Sequence, residues 1–326
     1  MKAVLIDRPG DETVLRIGEA PEPILGAGEL RLRVAATAVN RADLLQRQGM
    51  YPPPPGASPI LGLECAGTVI EVGAGVTGWN RGDRAMALLA GGGYAEQVVV
   101  HAGSALRVPE RLSLEEAAAV PEVFLTAFLN LFEVGLLGAG ASALVHGGGS
   151  GVGTASIQLA KAADARVFVT AGSEDKCTRC LELGADVAID YRKENFAARV
   201  REETSGRGVD VVLDSIGAAY LEGNLGSLAI GGRLVLIGLM GGAKVEVNLA
   251  VLLAKRLHVV GSTLRTRSVE EKAAIAASFE RRFGADLASG RVRPIVDRVL
   301  PLEQVADAHR AMKASEHFGK IVLKVL

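Results

Sequence analysis

Seven residues near the middle of the chain, 147–153, form a glycine-rich turn of sequence GGGSGVG. An apolar run, 143–146, precedes this turn, and an amphipathic segment follows it. Glycines let a backbone approach a pyrophosphate closely, and a helix N-terminus supplies free N–H donors and the positive end of a dipole. Within the pattern G-x-G-x-x-G, the first and third glycines are Gly148 and Gly153, and Ser150 stands at the second. The strand–turn–helix order predicts nucleotide binding, with a merely tight turn as the alternative.

Other chemistries that use similar motifs are not supported by the residues around this turn. Gly153 is followed by Thr154, so the lysine of a nucleoside-triphosphate-binding loop is missing. Val152 stands two positions after Ser150, so the nucleophile elbow of an α/β-hydrolase is missing as well. The pattern H-E-x-x-H of zinc proteases does not occur.

The second strand of the same unit ends at Thr170, where an NAD enzyme places an acidic residue for the ribose hydroxyls. Here the small residues Ala171 and Gly172 follow, then Ser173 and Lys176, which can donate to a phosphate and balance its charge. This pattern favours NADP. Lys176 as an ordinary solvated lysine is the alternative.

A cysteine pair, Cys177-x-x-Cys180, stands at the start of the next helix, where a thiol pKa can fall. Two further metal ligands are not evident nearby. The pair is therefore interpreted as helix packing rather than as a redox or metal site.

The elements that must position these residues alternate between strand and helix from about residue 141. Apolar strands are predicted at 143–146, 167–170, 187–189, 209–213, 233–237 and 257–260, with helices near 151–163, 174–183, 194–204 and 218–229. Near-continuous apolar strands separated by helices predict a parallel sheet that is covered on both faces.

The parts of the chain on either side have a different pattern. Residues 1–120 are interpreted as all-β with many turns, including a stiff loop at the proline run 51–56. A helix is predicted to begin after the N-cap Ser113. After residue 265, a long helix (268–289), a short helix (302–314) and a last strand (319–324) are expected.

The composition limits the class of protein. The chain has 326 residues, 49% of them hydrophobic, with 36 Lys+Arg against 37 Asp+Glu. The balanced charge and the aromatic content of 4% argue against a nucleic-acid or membrane partner. Three cysteines are too few for a disulfide framework, and neither a signal peptide nor a membrane-spanning run is evident. A cytoplasmic protein is expected.

The chain resembles, over its whole length, the zinc-independent quinone oxidoreductase (zeta-crystallin-like) family of the medium-chain dehydrogenases/reductases. The motifs are GLECAGTVIEVG at 62–73 with GDR at 82–84, NRADL at 40–44, QGMY at 48–51 and ALLAGGG at 87–93. Together with GLMGG at 238–242 and LRTR at 264–267, they indicate the subgroup containing the tumour-suppressor-induced quinone oxidoreductase of animals.

The resemblance implies a fold and a domain arrangement. The fold class is α/β, with a Rossmann doubly wound parallel sheet and a discontinuous β-rich GroES-like domain. The Rossmann domain is expected at 123–266, between the two parts of the GroES-like substrate domain at 1–122 and 267–326. Edge-strand pairing near 257–262 suggests a homodimer.

The resemblance also assigns site residues one at a time. Asn40 and Tyr51 face the nicotinamide cleft as the catalytic candidates. The cofactor-binding candidates comprise the turn residues Gly148, Ser150 and Gly153, which the sequence pattern itself indicates, and the following: Thr126 near the nicotinamide amide; Gly151 and Val152 at the pyrophosphate; Gly172, Ser173, Lys176 and Tyr191 around the adenosine phosphate; Ser215, Gly238, Leu239, Met240, Leu264 and Arg265 along the cofactor trough; and Phe318 and Lys320 closing it. At the positions of the zinc ligands in related alcohol dehydrogenases stand Asn40, Leu63 and about Glu122, so no metal is expected.

The implied function is zinc-independent hydride transfer from NADPH to a quinone, with ortho-quinones favoured. An NADPH-dependent reductase of enoyl or alkenal double bonds is the alternative, in which the Tyr51 phenol protonates the product. A non-catalytic NADPH-binding protein is a second alternative. For Tyr51, a packing residue beside the proline loop is the plainer interpretation.

Overall fold

The computed structural model describes all 326 residues. They form two compact units. Unit 1 comprises Met1–Leu125, Leu264–Gly290 and Pro294–Leu326, and unit 2 comprises Thr126–Thr263 and Arg291–Arg293. Compact units are defined by packing alone, so the domain limits inferred from the sequence remain predictions.

Fifteen strands are present: β1 (Lys2–Ile6), β2 (Leu15–Glu19), β3 (Glu29–Ala38), β4 (Glu64–Val72), β5 (Arg84–Leu88), β6 (Gln97–His101), β7 (Ala105–Arg107), β8 (Ser142–His146), β9 (Arg166–Ala171), β10 (Val187–Asp190), β11 (Val209–Asp214), β12 (Leu228–Leu236), β13 (His258–Gly261), β14 (Val296–Pro301) and β15 (Lys320–Lys324). Ten α-helices accompany them: α1 (Arg41–Arg47), α2 (Leu114–Ala117), α3 (Pro121–Phe128), α4 (Gly151–Ala162), α5 (Glu174–Glu182), α6 (Phe196–Glu203), α7 (Leu221–Ser227), α8 (Leu249–Lys255), α9 (Val269–Ser289) and α10 (Val305–Ala314).

Unit 2 is built on a six-stranded sheet in the order β10-β9-β8-β11-β12-β13, with every neighbouring pair parallel. Every residue of β8 is buried, as the apolar pattern predicted for a strand covered on both faces. The strand order reverses between β8 and β11, which is where doubly wound folds bind ligands. The Rossmann part of the predicted fold class is confirmed.

Unit 1 contains a seven-stranded sheet along the path β14-β15-β3-β4-β5-β7, with β6 also paired to β3. The long strand β3 alternates buried and less buried residues in its first half, as its apolar–charged alternation predicted. Strand β15 lies antiparallel to β3, with Val322 opposite Ala38. The last strand therefore completes a sheet begun almost 300 residues earlier, and the discontinuous β-rich part of the fold class is confirmed.

The prediction that residues 1–120 are all-β was wrong at α1, which comprises Arg41–Arg47. The Asp43 carboxylate accepts a hydrogen bond from the Asn40 backbone N–H (2.8 Å), and this contact fixes the first turn. The segment lies between two strong strand patterns and is only seven residues long, so its periodicity gives little signal.

Two predicted boundaries also shifted. The helix expected at 218–229 is a 3₁₀ turn (Ala218–Tyr220) followed by α7, which ends at Ser227. Strand β12 begins at Leu228, earlier than expected, because its first residues are buried and pair with β11 through an irregular register. The N-cap at Ser113 is confirmed, since its hydroxyl accepts from the Glu116 N–H.

One helical run, Leu114–Val134, is long and apolar enough to cross a membrane by length and composition alone. The sequence analysis did not single it out. In the fold this run is 78% buried, which is typical of a core helix of a soluble protein. It ends in a π-helical turn, Leu129–Val134.

Candidate functional site

The glycine-rich turn joins β8 directly to α4 and is closed by hydrogen bonds of its own. Ser150 is the N-cap of α4, and its Oγ accepts the Gly153 N–H at 3.0 Å. Its carbonyl accepts the Thr154 N–H at 2.8 Å. An α-helix leaves four N–H groups without helical partners at its start. Two of these, on Gly151 and Val152, stay available to a ligand.

Residues larger than glycine do not fit at Gly148 and Gly153, the first and last glycines of the G-x-G-x-x-G pattern. A Cβ on Gly153 would lie 2.2 Å from the Gly147 carbonyl oxygen. A Cβ on Gly148 would lie 2.8 Å from Cβ of Val169 and 2.9 Å from Sγ of Cys180. The turn is therefore a cradle of bare backbone at a helix N-terminus, which suits a pyrophosphate. At the second position of the pattern, Ser150 lacks the conformational freedom of glycine, but its side chain caps α4.

The four residues predicted around an adenosine phosphate come together beside the end of β9. A Cβ on Gly172 would lie 2.7 Å from the Tyr191 hydroxyl oxygen, so this phenol covers the glycine. The Ser173 Oγ caps α5 by accepting the Lys176 N–H at 3.3 Å, which leaves its hydroxyl hydrogen to donate. The acid Glu174 is exposed and pairs with Lys193 at 3.0 Å. No carboxylate stands at the strand end itself.

Four residues predicted along the cofactor trough lie in unit 2 beside the end of β11, namely Ser215, Gly238, Leu239 and Met240. The Met240 N–H donates to the Ser215 carbonyl at 3.2 Å, and a Cβ on Gly238 would lie 2.9 Å from the same oxygen. Leu239 and Met240 are each 56% exposed. Thr126 lies in α3, and its carbonyl accepts from the Asn130 amide at 2.8 Å.

In unit 1, Asn40 and Lys320 belong to a buried polar cluster. The Lys320 ammonium contacts Oε1 of Glu64 (2.8 Å) and donates to the Asn40 Oδ1 (2.6 Å) and the Val39 carbonyl (2.9 Å). The Asn40 Nδ2 donates to the same Glu64 oxygen at 2.9 Å, and the other Glu64 oxygen accepts the Glu122 N–H at 2.9 Å. Each polar atom of Asn40 and Lys320 already has a protein partner. Phe318 and Leu264 are buried in the same unit.

Tyr51 is held through Arg265. The Arg265 guanidinium lies 5.2 Å from the centre of the Tyr51 ring and donates to the Tyr51 carbonyl (3.3 Å). It also donates to the Ala90 carbonyl (2.9 Å) and the Gln46 Oε1 (2.6 Å). Burial raises the pKa of the Tyr51 phenol, and the positive charge of Arg265 opposes this rise. Arg265, predicted in the cofactor trough, thus links α1 to the two loops of unit 1 that contain Tyr51 and Ala90.

Sequence reasoning assigned no role to Glu64 and named Glu122 only at a zinc-ligand position. Glu64 is fully buried in β4, and the signal available was a charged residue inside the apolar run GLECAG. Burial and the nearby Glu64 carboxylate raise the pKa of the half-buried Glu122 to about 8. This rise in pKa favours the protonated form of Glu122 near neutral pH, and that form can donate a proton or a hydrogen bond.

A zinc ion of the alcohol dehydrogenase type does not fit the residues at its three positions. Leu63 is a buried hydrocarbon and offers no donor. The Asn40 amide is bound to Glu64 and Lys320. That leaves one carboxyl, Glu122, where three ligands are needed.

The cysteine pair lies in α5, with Cys180 fully buried. Burial raises the pKa of Cys180 to about 12 and also raises that of Cys177. The pKa decrease that a helix start could produce is outweighed by loss of solvation. Cys180 packs against the glycine-rich turn at Gly148.

Two family models match the chain, each on a different part. The model described as an alcohol dehydrogenase GroES-like domain matches residues 26–110. The model described as a zinc-binding dehydrogenase matches residues 151–279. The second name describes relatives with zinc, whose ligands do not fit here.

Several individual proteins are similar over nearly the whole chain. The solved quinone oxidoreductase of Escherichia coli, complexed with NADPH, is 30% identical, with a TM-score of 0.88 and full coverage of both chains. The solved JamJ enoyl reductase, in its apo form, is 26% identical, with a TM-score of 0.88 over 99% of this chain and 98% of that one. A mycocerosic acid synthase-like polyketide synthase of Mycobacterium tuberculosis is 35% identical over 98% of this chain, which spans only 15% of that protein's length.

Proposed function

Because the chain belongs to the quinone oxidoreductase family of the medium-chain dehydrogenases/reductases, we propose that it is an NADPH-dependent oxidoreductase whose acceptor is a quinone. Ortho-quinones are the favoured acceptors. NADPH, when bound, supplies a hydride to an acceptor that is already electrophilic, so no metal is required to activate it.

The observation that carries the cofactor proposal is the cluster beside the end of β9. This cluster consists of Gly172, Ser173, Lys176 and Tyr191. It offers bare backbone, hydroxyl donors and a positive charge where an NAD enzyme has a carboxylate. A 2′-phosphate there gains donors, and residues 171–173 at the strand end include no acidic side chain. The amides of Gly151 and Val152 would hold the pyrophosphate at the start of α4.

For the chemical step, the residues of unit 1 have separate tasks. Tyr51 is the candidate catalytic residue, since its phenol can donate to the acceptor oxygen. Asn40 and Lys320 have their polar atoms engaged by Glu64, which supports a positioning task rather than contact with substrate. The Glu122 carboxyl lies in the same cluster, and in its ionised form it raises the pKa of the Tyr51 phenol.

The second candidate function is NADPH-dependent reduction of an activated double bond. Its support is the likeness to the JamJ enoyl reductase and to a polyketide synthase, together with a Tyr51 ring held in place by Arg265. In that reaction the phenol donates a proton to carbon rather than to oxygen.

The test is an NADPH-oxidation assay across para- and ortho-quinones, enones and enoyl thioesters, with cofactor binding measured separately by NADPH fluorescence. We expect fastest turnover with an ortho-quinone and tighter binding of NADPH than of NADH. Turnover confined to enoyl thioesters would replace the quinone with the second candidate. Binding of NADPH without turnover of any acceptor would favour a non-catalytic NADPH-binding protein.

A further inference from the structure

A buried histidine stands directly before the glycine-rich turn and is enclosed on all sides. His146 is the last residue of β8 and is 4% exposed. Its ring lies edge-on to Phe196 and Tyr220, with ring centres 4.9 and 4.8 Å away. Both ring nitrogens have side-chain partners, Nε2 to the Asn224 Oδ1 at 2.6 Å and Nδ1 to the Thr170 Oγ1 at 3.0 Å.

The neighbouring groups determine which ring nitrogen carries the hydrogen. Asn224 Nδ2 donates to the Asp214 Oδ2 at 3.0 Å, so the amide oxygen of Asn224 faces His146 as an acceptor. Asp214 also accepts the backbone N–H groups of Ile216 (2.6 Å) and Gly217 (3.0 Å). The hydrogen of His146 is therefore on Nε2, and Nδ1 accepts from a donor.

That donor is the hydroxyl of Thr170. The direction of its hydrogen determines whether the Thr170 oxygen can accept a hydrogen bond from the glycine-rich turn. With its hydrogen directed at His146, the Thr170 Oγ1 offers its lone pairs to the Gly147 N–H, 3.3 Å away. The Thr170 carbonyl accepts the Gly148 N–H at 2.8 Å. Thr170 thus anchors the first two residues of the turn. It holds Gly148 through its backbone carbonyl and Gly147 through its hydroxyl, and only the orientation of the hydroxyl depends on His146.

The chain of hydrogen bonds also connects two parts of the candidate cofactor site. It begins at Asp214, which orders the loop containing Ser215, and ends at Gly147. We propose that His146, as its neutral Nε2–H tautomer, is a positioning residue that fixes the glycine-rich turn for the cofactor pyrophosphate. This inference rests on the proposed NADPH binding.

The protonation state of His146 agrees with this arrangement. Burial lowers the pKa of His146 to about 4, and the bond to Asn224 opposes the decrease. The ring is therefore neutral near pH 7. A second ring hydrogen on Nδ1 would face the Thr170 hydroxyl and reverse its direction.

The test compares Thr170→Val, which removes the hydroxyl at nearly constant volume, with Thr170→Ser, which keeps it. The measured quantities are dissociation constants for NADPH and NADH by fluorescence, and the KM for NADPH against kcat. We expect Thr170→Val to weaken both cofactors about 5- to 30-fold, since both share the pyrophosphate, and to raise KM with kcat nearly unchanged. Thr170→Ser should bind nearly as the wild type does.

A second variant, His146→Phe, keeps an aromatic ring beside Phe196 and Tyr220 and loses both hydrogen bonds. It should weaken both cofactors at least as much as Thr170→Val. A lower melting temperature with both dissociation constants unchanged, in either variant, would show that His146 only stabilises the fold and would overturn the inference.

A measurement without cofactor tests the tautomer of His146 independently of whether the protein binds NADPH. The chain has only five histidines, so ¹⁵N labelling can identify the ring of His146 by its loss in His146→Phe. We expect the Nε2–H tautomer at pH 6. The Nδ1–H tautomer or a protonated ring would overturn the inference even if NADPH binds. Wild-type protein that binds neither cofactor would refute the proposed function and the positioning role with it, while leaving the tautomer result intact.

Discussion

At the scale of single residues, the candidate cofactor site depends on positions without a side chain and on a strand end without an acidic residue. Gly148, Gly153 and Gly172 lie where a Cβ would meet neighbouring atoms, and the strand end beside Gly172 has no carboxylate. Positive charge there comes from a lysine in the first turn of α5. On the proposed cofactor binding, selectivity for the cofactor with the additional phosphate would rest on the Ser173 hydroxyl and the Lys176 ammonium.

The first prediction concerns that lysine. Lys176→Ala should weaken NADPH about 10- to 100-fold, because one charged contact to a phosphate contributes about 1.5–3 kcal/mol. NADH, which lacks the phosphate, should be affected little. Both constants can be measured by fluorescence titration. The matched control is Lys161→Ala, near the far end of α4 and paired with Asp186. Equal weakening of both cofactors by Lys176→Ala would contradict a phosphate contact.

The second prediction separates the two candidate reactions at Tyr51. With an ortho-quinone, Tyr51→Phe should reduce kcat about 3- to 10-fold, the effect of one hydrogen bond to an oxygen that needs little acid assistance. Loss of a general acid that protonates carbon typically costs 10²- to 10⁴-fold. Single-turnover rates at saturating NADPH give the comparison. A thousandfold loss with cofactor binding unchanged would favour the double-bond reductase.

The third prediction concerns the metal. Leu63 has no donor atom and Asn40 is engaged by Glu64 and Lys320, so three zinc ligands are not available. We expect elemental analysis of the purified protein to find no stoichiometric zinc, and EDTA to leave NADPH oxidation intact. One tightly held zinc per chain would contradict this expectation.

At the scale of elements, β13 and β14 are both edge strands with an exposed valine, yet they differ in what surrounds them. β14 carries Asp297 and Arg298, charged residues that discourage pairing with another strand. β13 has the sequence HVVG and follows α8, where Leu249 and Leu253 are 61% and 79% exposed. An unpaired apolar edge of this kind is suited to pairing with a second copy.

The fourth prediction follows from this difference. Val259→Lys in β13 should convert a dimer to a monomer, because it places a charge on the edge proposed for pairing. Val299→Lys in β14 is the control and should leave the dimer unchanged. Sedimentation equilibrium measures both. A wild-type protein that is monomeric at assay concentration, or a dimer unaffected by Val259→Lys, would exclude this edge as the interface.

Elements that depend on local sequence were predictable, and contacts that depend on distant sequence were not. The glycine-rich turn, the N-cap at Ser113 and the six parallel strands have patterns confined to a few residues. The contact between Lys320 and Glu64 joins residues 256 positions apart, and its only local trace is a charge in an apolar strand. The link between His146 and Asn224 likewise leaves no local pattern, because each residue alone is typical of ordinary core or helix positions.

At the scale of the whole molecule, the raised pKa of Glu122 contributes to how stability depends on pH. Glu122 has its pKa raised to about 8 in the folded protein, from an ordinary value near 4.5. Between these values the unfolded chain has lost the proton and the folded chain keeps it. The contribution of Glu122 to the free energy of unfolding is therefore present below pH 4.5 and is lost as the pH rises toward 8.

The fifth prediction is that Glu122→Gln removes this dependence. At pH 8.5 the variant should have a free energy of unfolding about 1–3 kcal/mol above that of the wild type, since an amide has no charge to desolvate. At pH 5 the two should differ little. Urea unfolding at several pH values gives the comparison, with the exposed Glu182→Gln as the control. Parallel pH curves for Glu122→Gln and wild type would contradict the raised pKa.

The position of Lys320 on β15 has a consequence for how the protein is made. During synthesis, β3 and β4 leave the ribosome long before residue 320 does, and Glu64 leaves with them. Until β15 arrives, the carboxylate that is fully buried in the finished protein has no cation beside it, and one side of β3 has no partner strand. We therefore expect the β-rich unit to complete its sheet only after residue 320 has been synthesised, whereas all six strands of the Rossmann sheet precede that residue in the chain.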